Sequence, residues 1–410
     1  MFRKGFEKHN IHKRRGRTSS SFVSRFLSRI KIDPRHKRGL ILLCGLVLAG
    51  LLVFWVCTFV NHQLEELRSI KFSGELQSGL DSDITDVEYD PASTFTLLII
   101  VQGDSDQKVV VDGFVVIKLD VHSGSAQMAT VHPDVYMPVL SSPGHPVDVD
   151  VQLSRFRDLM IIGDLLNPPM PLAYTMYQIE ELFALPIDGY MSFPPEIVSR
   201  SQVFSTGEVP DVEIQGSYDT WEKNWMSYWD TYLRSVSLLS VWRNRSILTD
   251  IQSNMGVVDV YSFIQEYKRI STNTLVKIDI PDDSLTETIN ERGETVNVVG
   301  IEAVDAAMAD LDRDSQMDRE QARIEIFNGT NVGGYGARYE RLIRNMGGEV
   351  IRVMNAPGKS QNTRIFVTDT QKYAYTVSQI SRLFAHAQVI EGRPDFVTTG
   401  DVIIVLGMDF

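Results

Sequence analysis

Only two cysteines occur in 410 residues, Cys44 and Cys57, and both fall inside one apolar run. Everything after Cys57 must therefore fold without a disulfide and without a disulfide-linked partner, and it offers neither a thiol nucleophile nor a thiolate metal ligand. Histidine is scarce as well, with 8 in all and none at zinc-motif spacing. There is no phosphate-binding glycine loop, no nucleophile elbow and no Ser, His and Asp order of a hydrolase triad. The run Gly333-Gly334-Tyr335-Gly336 follows a strand at the wrong spacing for a dinucleotide fingerprint, so a tight turn into a helix is expected there.

Positive charge is missing from most of the chain. The formal net charge is -13, from 40 Lys and Arg against 53 Asp and Glu. The first 38 residues hold 13 of those basic residues against only Glu7 and Asp33, which leaves 27 against 51 for the remainder. An acidic surface of that kind excludes bulk nucleic-acid binding by the larger part, because neutralising phosphates requires Lys and Arg.

What is present is an uncharged stretch, Gly39 to Val60. At about 1.5 Å rise per residue its 22 positions reach roughly 33 Å, enough for a bilayer core. The basic residues before it orient the N-terminus to the cytoplasm and the rest outside. The run exceeds a signal-peptide core and no small-residue cleavage site follows it. Lipid attachment at Cys44 or Cys57 is disfavoured because Leu43 and Val56 precede them. The expectation is a single-pass protein of the cell membrane. Within the tail, Phe22, Val23, Phe26, Leu27 and Ile30 suit one apolar stripe on the inner leaflet, with a disordered tail as the equal alternative.

The expected organisation is a cytoplasmic tail over 1–38, the membrane helix over 39–60, a stalk over 61–91, a mixed α/β domain over 92–280, a linker with one short helix over 281–321 and a small C-terminal α/β sandwich over 322–410. Strands are expected at Thr94 to Val101, Gly113 to Leu119 and Ala126 to Val131. A helix is expected over Pro171 to Phe183 and a strand over Ile187 to Phe193. A long amphipathic helical pattern between Trp221 and Ile251 puts Trp225, Trp229, Tyr232, Val236 and Leu239 on one face, and a further helix covers about Val257 to Arg269.

The C-terminal unit resembles the LytR C-terminal domain through Ile324-Glu325-Ile326-Phe327-Asn328-Gly329-Thr330, Gly333, Ala337, Gly347-Gly348, Thr363 and Ile403-Ile404-Val405-Leu406-Gly407. The domain from about Phe95 to Ile280 resembles the LytR-CpsA-Psr family. Its landmarks are LLIIVQGDSD, Val111-Asp112-Gly113-Phe114-Val115-Val116, Val131-His132-Pro133-Asp134-Val135-Tyr136-Met137-Pro138 and Leu185-Pro186-Ile187-Asp188-Gly189-Tyr190. The resemblance implies an exported protein that handles polyprenyl-pyrophosphate-linked glycopolymers and peptidoglycan. It also implies roles for Asp112 and Asp134, as catalytic carboxylates or as ligands of Mg²⁺. Asp106, Val110 and Pro133 stand where the family has arginines that grip pyrophosphate. Arg243 and Arg245 would replace the family's later arginine pair, or Arg234 its later single arginine, and only one of these alignments can hold.

Read by themselves, Asp112 and Asp134 lie at the ends of neighbouring strand regions, where they would either meet at one rim or simply close turns. Arg155 and Arg157 flank Phe156, as phosphate contacts or as a solvated face. His132 without a nucleophile nearby reads as a hydrogen-bonded strand-end residue. The expectation is a protein that binds or organises lipid-linked glycopolymers or their transferases with degenerate catalytic motifs. The alternative is an active Mg²⁺-dependent phosphotransferase that attaches such polymers to peptidoglycan.

Overall fold

In the computed structural model, the structure describes residues 34–69, 72, 89–90, 94–105, 108–139, 152–166, 169–194, 217–308, 314–384 and 386–409. The basic tail to residue 33, most of the expected stalk and Asp106 lie outside the described residues. The chain divides into two compact units, 1–63 and 64–410.

Helix α1 (Pro34–Ser69) is 36 residues long and contains the uncharged run. Side-chain placement within that run covers 46–49 and 51–60, where Leu46, Phe54 and Trp55 are each about two-thirds exposed. Among the described residues, no helix is long and apolar enough to cross a membrane.

The larger unit is mixed α/β and contains three sheets. The first is six-stranded, in the order β7-β6-β1-β2-β3-β8. Its strands are β1 (Phe95–Ser105), β2 (Lys108–Asp120), β3 (Ser125–Ala129), β6 (Gly189–Phe193), β7 (Gln252–Ser253) and β8 (Leu275–Ile278). Both faces of β1 and β2 are buried, which is why TFTLLIIV and GFVVIKL read as near-continuous apolar runs. Leu97, Ile99, Ile117 and Leu119 face one apolar layer, built on α4 (Tyr218–Ser235), α5 (Leu238–Arg243), α6 (Arg245–Leu248) and α7 (Val257–Arg269). Leu98, Ile100, Phe114 and Val116 face the other, built on α2 (Leu159–Leu165) and α3 (Pro171–Phe183).

The long helical pattern after Trp221 is broken. Val236 leaves helical geometry, and Ser237 caps a new helix through a reciprocal pair with Ser240. Leu239 consequently leaves the aromatic face and is 71% exposed. A short hydroxyl that satisfies the first free amides of α5 is sufficient cause for the break.

The region expected as a linker, 281–321, contains regular structure. Strands β9 (Thr286–Ile289) and β10 (Thr295–Val298) form an antiparallel hairpin, and β10 pairs with β4 (Tyr136–Pro138), which in turn pairs with β5 (Leu153–Arg155). Helices α8 (Ile301–Met308) and α9 (Ser315–Glu320) follow. Val299, Val304 and Met308 are buried in the same apolar layer as Phe114, so burial beyond Ile280 fixes this segment to the first sheet's neighbourhood.

The last sheet has the order β12-β11-β15-β13-β14, from β11 (Arg323–Asn328), β12 (Glu349–Asn355), β13 (Arg364–Val367), β14 (Gln388–Glu391) and β15 (Val402–Leu406). Helices α10 (Tyr335–Asn345) and α11 (Ala374–Ser381) cover one face of it. Gly334 caps α10 at φ +80°, a left-handed position that explains the glycine run before the helix.

Candidate functional site

The site is built around an irregularity between β1 and β2. Val101 pairs with Gly113 and Gln102 with Val111, which leaves Asp112 as the extra residue of a β-bulge. Bulges re-aim a side chain out of the pleat, and here the carboxyl group is turned over Gly103. A Cβ at Gly103 would stand 2.2 Å from Asp112 Cγ, so any larger residue there would push this carboxylate out of its place.

The second carboxylate comes from the turn between β3 and β4. Val135 N–H donates to His132 O at 3.0 Å, and Asp134 N–H donates to His132 Nδ1 at 3.1 Å. The third group follows β5. Phe156 is fully buried against Phe114, with ring centroids 5.3 Å apart, and Arg157 N–H donates to Pro133 O at 2.8 Å. That anchor sets the Arg157 guanidinium between the carboxylates, with Nε 2.9 Å from Asp134 Oδ1 and Nη1 3.7 Å from Asp112 Oδ1. These contacts are charge pairs without hydrogen-bond alignment at Nε. Burial raises the Asp112 pKa, Arg157 opposes that rise and Asp134 adds to it.

Asp112 and Asp134 therefore converge, as one reading of the sequence expects, on Arg157. Arg155, on the other side of Phe156, is held by Asp158 through Nε at 2.7 Å and Nη2 at 3.1 Å. Arg234 is engaged elsewhere: it donates to Asp230 at 2.7 Å and to Ile270 O at 2.8 Å, over the Tyr267 ring. Arg243 is exposed on α5, and Arg245 lies over the Trp242 ring at 5.4 Å. Among the described residues, no group of three or more His, Cys, Asp and Glu side chains converges as a metal cage. A resident Mg²⁺ does not fit the arrangement, because Arg157 already lies where a cation bridging both carboxylates would sit.

Sequence reasoning missed a residue beside this site. Glu222 on α4 is 1% exposed and accepts from His132 N–H at 3.1 Å and from Ile280 N–H at 3.2 Å, tying the ends of β3 and β8. His132 packs between Tyr218 and Trp221, with centroids 4.8 and 4.7 Å away. Burial lowers the His132 pKa, so the ring is neutral at pH 7. The available signal for Glu222 was a carboxylate next to Trp221 in an otherwise aromatic stripe.

Burial pushes the Glu222 carboxyl up to about 8 from an ordinary 4.5, with the two amides opposing the rise. The folded chain thus holds a proton that the unfolded chain releases, so this contribution is full below pH 4.5 and is lost as pH rises through about 8. The stability advantage of wild type over Glu222→Gln is expected to shrink from pH 5 to pH 9, by up to about 1.4 kcal/mol per pH unit between the two pKa values. Urea unfolding at several pH values reads this directly, and a pH-independent difference contradicts it.

The architecture is that of a mixed α/β chain with an acidic site closed by one arginine, followed within the same compact unit by a small C-terminal α/β region. That region, residues 321–410, matches the family model described as LytR cell envelope-related transcriptional attenuator and is a LytR C-terminal domain. No curated protein matches the chain. Among solved structures it is similar to Bacillus subtilis TagV at 12% identity, covering 53% of this chain and 94% of that one with a TM-score of 0.38. It is also similar to TagT bound to LI-WTA, at 12% identity over 56% and 94% with a TM-score of 0.39. A third is the putative transcriptional regulator ywtF from Bacillus subtilis, at 12% over 67% and 99% with a TM-score of 0.39. These identities are too low to carry an activity across.

Proposed function

We propose that this chain is a membrane-anchored, extracytoplasmic cell-envelope protein that binds or organises polyprenyl-linked glycopolymers or their transferases without transferring them. The observation that carries this reading is the closure of Asp112 and Asp134 on Arg157. A pyrophosphate needs cations that are free to meet it, and the arginine beside these carboxylates is already paired. The aromatic layer under α4 bears only on the absence of transfer, because it leaves a cavity of about 50 Å³ among Phe193, Trp229, Tyr232 and Val257 in which a lipid tail would have to be seated. A polyprenyl chain does not fit a space of that size without spreading the helices.

Anchoring rests on the uncharged run within α1, on the basic residues before it and on the exposure of Leu46, Phe54 and Trp55. The LytR C-terminal domain supports an envelope setting. The convergence of Asp112 with Asp134 favours a second reading, an active phosphotransferase in which these two carboxylates would act once Arg157 is turned away from them. The full-length chain in lipid nanodiscs is expected to retain a lipid-linked glycopolymer in a pull-down whether Mg²⁺ or chelator is present. Retention that requires Mg²⁺ and disappears in Asp112→Asn would favour the second reading.

A further inference from the structure

Two clefts flank the start of β2 and share Lys108 and Ile161 as walls. The more polar one, about 350 Å³, lies between Tyr136 and Arg155 on one side and the tip of the β9–β10 hairpin, Asn290 to Arg292, on the other. Its volume lies in the roughly 300–1,000 Å³ range of ligand pockets. Tyr136 is two residues from Asp134 and Arg155 two from Arg157, so the cleft adjoins the carboxylate site.

Its charges are unevenly satisfied. Asp158 neutralises Arg155, and Glu291 is fixed as the acceptor of Gln152 N–H at 3.0 Å. Among the described residues, Lys108 and Arg292 have no ion-pair partner, and both line this cleft. The hairpin tip is also braced by its own side chains. Asn290 Oδ1 accepts from Arg292 N–H at 2.9 Å and from Glu294 N–H at 3.0 Å, and Asn290 Nδ2 donates to Glu294 at 2.9 Å. The Glu291 bond ties that tip to the approach of β5, so Arg292 is presented from a built turn.

We propose that this cleft binds an anionic glycan, whose phosphate or carboxylate is held between Lys108 and Arg292 and whose sugar lies against Tyr136 and Asn290. Two cations that have no ion-pair partner among the described residues select the oxyanion, while the phenol and the amide supply hydroxyl-directed contacts. This deepens the envelope-binding reading by naming the part of the polymer that is gripped, and it places the grip beside the carboxylate pair.

The test is titration calorimetry of the full-length chain in detergent with EDTA, using poly(glycerol phosphate), oligogalacturonate and neutral dextran as probes. At least one polyanion is expected to bind, with the preferred one identifying phosphate or carboxylate, while dextran binds more weakly. Lys108→Ala and Arg292→Ala are each expected to raise Kd about tenfold, the loss of roughly one charged contact. Lys108→Arg should keep most of the affinity, and Arg269→Ala, an exposed control on α7, should bind as wild type does. The proposal is overturned if neither polyanion binds, if both alanine variants bind like wild type, or if affinity depends on Asp112 and added Mg²⁺ instead. Failure here with intact retention of lipid-linked glycopolymer would leave the broader reading standing, whereas loss of both would remove the two together.

Discussion

Arg341→Ala is expected to destabilise the larger unit by about 2 to 4 kcal/mol, after discounting for the partial exposure of its ion pair. Arg341 on α10 donates from Nη1 to Glu181 O at 3.0 Å and from Nη2 to Leu182 O at 3.1 Å, and it meets Asp305 at 2.6 Å. Those carbonyls close the last turn of α3, where a cation also meets the negative end of the helix. Removing the guanidinium leaves two carbonyls and a carboxylate without their donor. The neighbouring contacts show why the effect should extend past one residue. Arg338 pairs with Glu181, Asn345 Nδ2 donates to Phe183 O at 3.1 Å, and Lys118 Nζ donates to Asn345 O at 3.1 Å. Hydrogen exchange should show the end of α3 opening first, and unchanged protection there with an unchanged urea midpoint would contradict the assignment.

Trp225→Ala is expected to cost about 3 to 5 kcal/mol, the range for emptying a large core position. Trp225 is 7% exposed, and its indole N–H donates to Phe114 O at 2.9 Å. The ring also closes over Gly113, where an added Cβ would come within 2.7 Å of Trp225 Cζ2. Gly113 adjoins Asp112 in the bulge, so this substitution is expected to loosen the carboxylate site as well as the core. Trp225→Phe keeps most of the volume but loses the hydrogen bond and should fall between the two. Equal midpoints for wild type and Trp225→Ala would refute this packing.

The parts of the fold that were legible in the sequence are those where burial is two-sided. TFTLLIIV and GFVVIKL left no other reading than adjacent strands, and they pair as β1 and β2. PLAYTMYQIEELF showed its period and forms α3. The hairpin of TETI and TVNV is hidden because its strands are only four residues long and none of their side chains is fully buried, so the apolar signal of Ile289, Val296 and Val298 is weak against the acidic residues around it. The break at Ser237 was hidden for a different reason: the apolar spacing continues through it, while the cap that stops the helix is a single hydroxyl.

At the site, the two aspartates were legible and their arginine was ambiguous. Arg157 looks like any surface arginine, because the sequence does not show that the chain leaves β5 for a short 3-10 helix at Phe156 and so parts Arg157 from Arg155. Arg234, Arg243 and Arg245 match the resemblance only by their order along the chain. Order does not report that Asp230 and Ile270 engage Arg234. Lys108 and Arg292 are 184 positions apart and line one cleft, a meeting that order along the chain does not report.

The most direct test of the central claim is a transfer assay with the full-length chain in nanodiscs, a lipid-linked glycopolymer donor, peptidoglycan acceptor and Mg²⁺. The account predicts that donor is bound and no polymer appears on the acceptor, because Arg157 holds Asp112 and Asp134 together. Mg²⁺-dependent transfer that is lost in Asp112→Asn would contradict it.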